Sequence, residues 1–298
     1  MKNIYLILAH SEPRILSLLV QIIKSDTRND VLVHIDGKVK GGLYKEMADA
    51  VTGWGGKITT SRIKVYWGDF SIVKAEMALY TEAVKIGYDY YHLISGVDFP
   101  IKPICTIGDF FQSHPNMQFF RCVSEETKHQ ARITFNTDYY HLTRISSIPI
   151  LKTIWLKLHL SRGFLEIQKF LGIHRGLKDN FKIYKGDQWC SLSHDAVIYL
   201  LSKKKNIEQR FRWTCCPDEI YKQTILMNSH FRNSVYIPEQ SLQNAALRLI
   251  DWTKGSPYVW TINDKEDIFL SNNFFARKFS TLIDPKILDI LLNIQEFR

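Results

Sequence analysis

Three common features are absent from this chain, and each absence excludes a class of protein. No apolar run approaches the ~20 residues that a helix needs to cross a bilayer, so we predict no membrane span. The five cysteines include no Cys-x-x-Cys pair, which argues against a zinc site. Their odd count argues against a disulfide framework. No two aspartates flank a single residue, so the chain lacks the Asp-x-Asp pair with which many enzymes hold a divalent metal. We therefore predict reduced thiols and no bound metal.

Length and composition are those of a folded protein. The 298 residues suffice for one large core, and 45% hydrophobic with 23% charged residues is ordinary for a soluble domain. The first residues, MKNIYLILAHSEP, contain one lysine and an apolar run too short for a signal peptide. We predict a buried strand there and a cytoplasmic location.

Positive charge is concentrated in one stretch of the chain. The net charge is +9, and residues 143–185 contain nine Lys or Arg against two acids. The stretch is also apolar, which suits either an anionic membrane surface or a solvated helix face beside a core. Both alternatives stay open, and the first predicts a peripheral position on the inner face of the cytoplasmic membrane. No nucleic-acid-binding motif accompanies the charge, so we predict no nucleic-acid partner.

Strand and helix patterns alternate along the chain. We predict strands at 2–9, 30–36, 62–68, 89–95, 117–123 and 188–193, and helices at 12–24, 71–87, 105–113, 194–204 and 216–228. This alternation predicts an α/β fold with a mostly parallel twisted sheet and helices on both faces. We expect a single domain, 1–298, made of a ligand-binding half (1–125), a basic amphipathic insertion (about 126–185) and a second half (186–298).

Polar residues lie at the predicted carboxyl ends of the strands, where ligands bind in parallel sheets. His10 can meet an anion or a nucleobase edge, or it is a satisfied histidine at a strand end. Asp36 can accept a hydrogen bond from a nucleoside, or it forms a turn. Asp98, before Phe99-Pro100, has the same two interpretations.

Two charged pairs are candidates for chemistry. Asp218 and Glu219 follow Pro217 in the first turn of a predicted helix, where one acid complements the helix dipole and the other can serve as a general base. Arg277 and Lys278 are either surface cations with buried stems or the groups that stabilise a diphosphate.

Two tryptophans are candidates for sugar stacking. The indoles of Trp252 and Trp189 can pack against a pyranose ring, although burial in the core is the ordinary fate of such residues.

These motifs occur together and in one order, and the set resembles the Core-2/I-branching β-1,6-N-acetylglucosaminyltransferase family, to which peptide xylosyltransferases are related. The pattern is matched at 5–10, 31–38, 65–80, 90–102, 186–200, 216–226, 247–252 and 274–279, and it is weakest from 125 to 182. The resemblance implies a GT-A-like fold and inverting transfer of a sugar from a UDP-sugar to a saccharide hydroxyl, without a metal or other cofactor. Since the membrane anchor and disulfide cysteines of animal members are missing, the chain looks like a bacterial form that acts in surface polysaccharide synthesis.

The resemblance also implies roles for individual residues. Glu219 matches the general base that deprotonates the acceptor, and Lys278 matches the lysine that neutralises the diphosphate. A second basic residue of the animal enzymes has no counterpart in the shorter loop here, and Arg277 is the candidate to replace it. The remaining nucleotide-sugar positions are His10, Asp36, Trp67, Gly68, Ser71, Lys74 and Asp98, and the acceptor positions are Trp252, Trp189, Asp218 and Glu126.

Two other functions compete with this prediction. One is a metal-dependent glycosyltransferase with UDP-xylose or UDP-glucose as donor, in which Asp36 or Asp98 holds the metal. The other is a membrane- or polyanion-binding module in residues 143–185, which depends on Lys152, Lys157 and Arg162. The module and the enzyme can coexist if the saccharide acceptor is lipid-linked.

Overall fold

A five-stranded sheet forms the centre of the molecule. The computed structural model describes residues 1–123, 129–143, 154–175, 181–238, 245–255 and 257–296. The strands are β1 (Asn3–Ala9), β2 (Asn29–Ile35), β3 (Lys57–Ile58), β4 (Tyr90–Ser95) and β6 (Cys190–Ser193), in the order β3-β2-β1-β4-β6. The first four pair in parallel and β6 pairs antiparallel to β4. The predicted mostly parallel sheet is confirmed.

Helices cover both faces of this sheet, as predicted. They are α1 (Pro13–Ser25), α2 (Gly41–Thr52), α3 (Ser71–Ala83), α4 (Ile104–Ser113), α5 (His129–Asp138), α6 (Ile154–Phe170), α7 (His194–Ser202), α8 (Lys204–Phe211), α9 (Tyr221–Met227), α10 (Lys265–Leu270) and α11 (Lys286–Glu296). Successive residues of β1 point to opposite faces, so Tyr5 and Ile7 pack with α1 while Leu6 packs with α3. Burial on both faces explains why β1 has a continuous apolar sequence. No helix in the described ranges has the length and apolar character that a membrane crossing requires.

A second sheet, which the sequence analysis did not predict, joins distant parts of the chain. Its strands are β5 (Asp98–Pro100), β7 (Arg248–Ile250) and β8 (Phe275–Arg277), in the order β5-β8-β7. The antiparallel register of β5 and β8 sets Asp98 opposite Arg277. This sheet therefore places Arg277 opposite Asp98, which lies just after the carboxyl end of β4.

The predicted strands at 62–68 and 117–123 are wrong. The first segment is a loop whose Ile63 N–H donates to His34 Nε2 at 3.0 Å, so its backbone bonds to a side chain rather than to a strand. The second forms only isolated bridges at Gln118, Phe119 and Val123.

The predicted helix 216–228 is interrupted. A 3-10 turn, Pro217–Glu219, precedes Ile220 and α9, because Cys216 adopts a left-handed φ of 50° before the proline. Lys152 and Glu126 lie outside the described residues, as does the side chain of Lys157.

A buried ion pair fastens α3 to α9. Glu76 Oε2 accepts hydrogen bonds from Lys222 Nζ and Tyr221 Oη, both at 2.6 Å, and Glu76 Oε1 accepts from Gln188 Nε2 at 2.9 Å. Both charged side chains are fully buried. Because each carboxylate oxygen has a donor, the charge of Glu76 is satisfied inside the protein. The turn that carries Glu219 lies directly before this anchor in the chain.

Candidate functional site

The residues after β1 and β2 form one side of the site. Asp36 is buried, and its Oδ1 accepts from the Lys38 N–H at 2.8 Å while its Oδ2 lies 3.5 Å from Lys38 Nζ. These contacts support the turn-forming interpretation of Asp36. A contact with a nucleoside stays a prediction.

The pKa of His10 is affected by charged residues from both sides of the predicted site. Its side chain is exposed. Desolvation lowers the pKa of His10, Asp36 opposes this effect, and the charges of Arg277 and Lys278 lower the pKa further. The structure thus brings four of the predicted nucleotide-sugar residues into one electrostatic neighbourhood.

Arg277 is held from two directions. Its Nη1 donates to Asp98 Oδ1 at 2.9 Å, and its guanidinium lies 4.6 Å from the ring centroid of Trp189. Asp98 is buried; burial raises its pKa, and the charge of Arg277 lowers it. Trp189 is also buried, at 7% exposure. Asp98 and Trp189 therefore support Arg277, and the Trp189 ring is not an open platform for a sugar.

Lys278 differs from Arg277 in its partners. Its backbone is fixed, because its carbonyl accepts from the Trp260 N–H at 3.0 Å and its N–H donates to the Tyr258 carbonyl at 3.3 Å. Within the part of the chain that the structure describes, its ammonium has no carboxylate partner. Of these two cations, Lys278 is therefore the one whose charge is less compensated by described carboxylates.

Glu219 is partly exposed, with 29% of its side chain accessible, and it forms an ion pair with Lys185. The Glu219 carbonyl accepts from the Gly186 N–H at 2.8 Å, so the turn and the Lys185 segment are joined at two points. The sequence analysis missed Lys185, which it counted only as part of the basic stretch. Its position beside the matched segment 186–200 was the available signal.

Asp218 occupies the interior beside Glu219. Burial, followed by the charges of Glu219 and Glu76, raises the pKa of Asp218 to about 7, against the opposing charge of Lys222. Asp218 is buried, at 9% exposure, and its predicted contact with an acceptor stays a prediction.

The segment 67–74 contributes a loop and the start of α3. Trp67 is 84% exposed. Gly68 adopts a φ of 69°, which favours glycine, and its carbonyl accepts from the Cys216 N–H at 3.0 Å. Ser71 is buried and its Oγ accepts from the Tyr66 N–H at 2.9 Å. The loop that carries Trp67 is therefore pinned to the residue before Pro217.

Three predicted residues remain, namely Lys74, Trp252 and Glu126. Lys74 lies on a different face of α3 from Glu76 and forms an ion pair with Glu208 at 3.3 Å. Trp252 is 54% exposed and can still offer its ring to an acceptor. Glu126 lies outside the described residues.

A chain of contacts leads from Arg277 to the start of α9, the helix that follows the acidic pair. Arg277 packs on Trp189, the neighbouring Gln188 donates to Glu76, and Glu76 binds the two residues that begin α9. The arrangement combines a partly exposed carboxylate, which can accept a proton, with cations, which can stabilise an anion. Across the described ranges, no three His, Cys, Asp or Glu side chains are grouped so as to hold a metal ion. The absence of a metal requirement stays a prediction.

Comparisons with known proteins identify relatives of this chain. The family model described as "Core-2/I-Branching enzyme" matches residues 4–270. The chain is 22% identical over 288 residues to xylosyltransferase oxt of Drosophila pseudoobscura pseudoobscura, covering 89% of this chain and 30% of that protein. It is 21% identical to xylosyltransferase oxt of Drosophila melanogaster, with the same coverage. The chain thus spans about 30% of the length of these curated relatives.

The raised pKa of Asp218 predicts a pH-dependent loss of stability. Folded Asp218 keeps its proton between the unfolded value of about 3.8 and its folded value of about 7, so its effect on stability becomes steadily more unfavourable across that range. We expect Asp218→Asn to gain stability relative to the unmodified protein as pH rises from 5 to 7, by roughly 2–3 kcal/mol, and the difference should level off above pH 7. Urea unfolding from pH 5 to 8 measures this difference.

Asp251→Asn is the control for this measurement. Hydrogen bonds from Thr253 lower the pKa of Asp251, so its stabilising effect is lost only at acidic pH and its variant should differ by a constant amount from pH 5 to 8. A difference for Asp218→Asn that is equally constant would contradict the prediction.

Proposed function

Since this chain belongs to the Core-2/I-branching enzyme family, which is a family of glycosyltransferases, we propose that it transfers a sugar from a UDP-sugar to a hydroxyl of a saccharide acceptor with inversion. The observation that carries this proposal is the chain of contacts that runs from Arg277 through Trp189, Gln188 and Glu76 to the start of α9. The partly exposed carboxylate of Glu219 lies two residues before that helix, and Lys278 follows Arg277.

Glu219 is the proposed general base. It takes the proton of the acceptor hydroxyl while that oxygen forms a bond to C1 of the donor sugar. The bond between C1 and the phosphate oxygen breaks on the opposite face, and UDP departs with the electron pair. The configuration at C1 is therefore inverted.

Lys278 is the proposed principal cation for the diphosphate. Part of the charge of Arg277 is offset by Asp98, whereas Lys278 has no such partner among the described residues. Preorganised cations can stabilise a leaving group in the transition state without a metal ion. We propose a metal-independent reaction on this basis.

The donor has two candidates. The family resemblance favours UDP-N-acetylglucosamine. UDP-xylose is the second candidate, because both curated relatives carry the name xylosyltransferase.

A second candidate function, attachment to an anionic membrane, is favoured by α6. Leu160, Ile167, Phe170 and Leu171 follow helical spacing and form an exposed apolar stripe, with Phe170 at 90% and Leu171 at 61% exposure. The surrounding segment 143–185 has nine basic residues against two acids. An apolar stripe within a basic segment matches an anionic lipid surface, and it would bring the enzyme to a lipid-linked acceptor.

The first prediction tests the base. We expect Glu219→Gln to lower the turnover of UDP-N-acetylglucosamine or UDP-xylose by roughly 10²- to 10⁴-fold, because the amide cannot accept the proton. UDP binding, measured by calorimetry, should persist. Glu46→Gln, an exposed carboxylate on α2, is the control and should keep full activity. Near-normal turnover in Glu219→Gln would remove the base from the mechanism.

The second prediction tests the cation. We expect Lys278→Met to raise the Kd of UDP by about 10- to 100-fold, because charge-assisted bonds to the diphosphate are lost. The Kd of uridine should stay the same, since uridine has no phosphate. Lys265→Met, which changes an exposed lysine, should alter neither constant. UDP affinity should also survive excess EDTA, and a requirement for added Mn²⁺ would refute metal independence.

The third prediction tests membrane attachment by comparing two pairs of apolar side chains whose exposed fractions are closely matched. We expect Phe170→Gln/Leu171→Gln to weaken binding to vesicles of phosphatidylglycerol and phosphatidylcholine by about tenfold or more, since two apolar side chains no longer enter the bilayer. Leu282→Gln/Ile283→Gln removes side chains of 91% and 60% exposure outside the basic segment and should bind like the unmodified protein. Equal sedimentation of both variants would exclude the stripe as the contact.

A further inference from the structure

Lys185 contacts the proposed base but has no role in the mechanism above. Its side chain is only 8% exposed, and its ammonium bonds to Glu219 Oε2. A lysine buried to this degree is uncommon unless its charge is paired. Glu219 is the carboxylate that pairs with it.

The backbone on both sides of Lys185 is held in place. The Tyr184 N–H donates to Thr224 Oγ1 at 3.0 Å, and the Val123 N–H donates to the Lys185 carbonyl at 2.8 Å. A Cβ at Gly186 would collide with the Arg121 carbonyl, so the chain passes at a distance that glycine alone permits. These contacts fix the backbone from which the buried Lys185 side chain reaches Glu219.

Other carboxylates surround the pair. Asp187 forms an ion pair with Arg121 at 3.3 Å; burial raises the pKa of Asp187, Arg121 and Lys185 lower it, and Glu219 raises it. Asp218 directly precedes Glu219 in the chain and is buried. Glu219 therefore has two acids, Asp187 and Asp218, as neighbours, and Lys185 is the cation in direct contact with it. Without that cation, the Glu219 carboxyl group would have two acids as neighbours and no contacting cation among the described residues.

We propose that Lys185 is a positioning residue for Glu219: its ammonium pairs with the carboxylate and holds it at the partly exposed end of the turn, oriented to accept a proton. This inference rests on the proposed function, since it assigns Lys185 a task through the base. The ion pair also pre-sets the orientation that the reaction needs, which reduces reorganisation when the acceptor binds.

The test is the pH dependence of UDP release from UDP-N-acetylglucosamine or UDP-xylose, with water as acceptor, for Lys185→Gln and Lys185→Arg. Because removal of a contacting cation favours the neutral form of a carboxyl group, we expect Lys185→Gln to move the acidic limb of its kcat profile up by about one pH unit. The loss of kcat should reach about tenfold at pH values below the original limb and should vanish on the plateau above it. Lys185→Arg keeps the positive charge and should retain the original limb. The Kd of UDP should stay within twofold in both variants.

Lys24→Gln is the control, because Lys24 on α1 pairs with Asp30 outside the proposed site and the basic segment, and its loss should leave the profile unchanged. A loss of rate that is equal at every pH, in Lys185→Gln and Lys185→Arg alike, would show a purely structural role and overturn the inference. If Glu219→Gln abolishes UDP release while Lys185→Gln keeps the original limb, the proposed function stands and this inference fails. If Glu219→Gln keeps its turnover, or the unmodified protein releases UDP from neither donor, the proposed function fails and this inference fails with it.

Discussion

The buried ion pair of Glu76 and Lys222 is the interaction on which the site depends. Two fully buried charges are tolerated only because each has close partners, and Glu76 accepts three hydrogen bonds from three different side chains. These bonds join α3 and α9 to the Gln188 segment that precedes β6. Removing one partner of such a pair leaves an uncompensated buried charge, which costs about 3–5 kcal/mol. The same pair influences Asp218, whose raised pKa reflects burial first and then the carboxylates around it. The turn that carries Glu219 is thus followed by a helix whose first residues are held by the hydrogen bonds of Glu76.

Charge compensation by aspartates distinguishes the two cations of the proposed site, Arg277 and Lys278. Asp98 satisfies Arg277, and Asp36 binds Lys38, so these aspartates are already occupied with structural contacts. Lys278 is held by its backbone while its ammonium has no carboxylate partner among the described residues. A site that must stabilise a departing anion needs this division, because a cation already neutralised by the protein gives less to the transition state.

The sequence predicted the elements whose signals are local. Strand β1 is a continuous apolar run, and Pro13 and Gly87 mark the ends of predicted helices, so the central sheet and its layers could be anticipated. The second sheet could not, since its strands have three residues each and 179 positions separate Asp98 from Arg277. For the same reason the partner of Glu219 was missed: Lys185 lies 34 positions away and its side chain resembles any other in a basic stretch. The alternation at 62–68 was misleading because His34 and the following turn take up its backbone groups.

The helices of the basic stretch are not isolated from the proposed base. The Cys215 N–H donates to the Asn136 carbonyl at 3.2 Å, and Arg175 Nη1 donates to Thr214 Oγ1 at 3.0 Å. The residues that lead into Pro217 are therefore bonded to α5 and to the segment that follows α6. If the stripe on α6 contacts a membrane, these bonds connect the membrane-contacting part of the chain to the residues that lead into the turn of Glu219. Membrane attachment and the positioning of the proposed base would then depend on some of the same contacts.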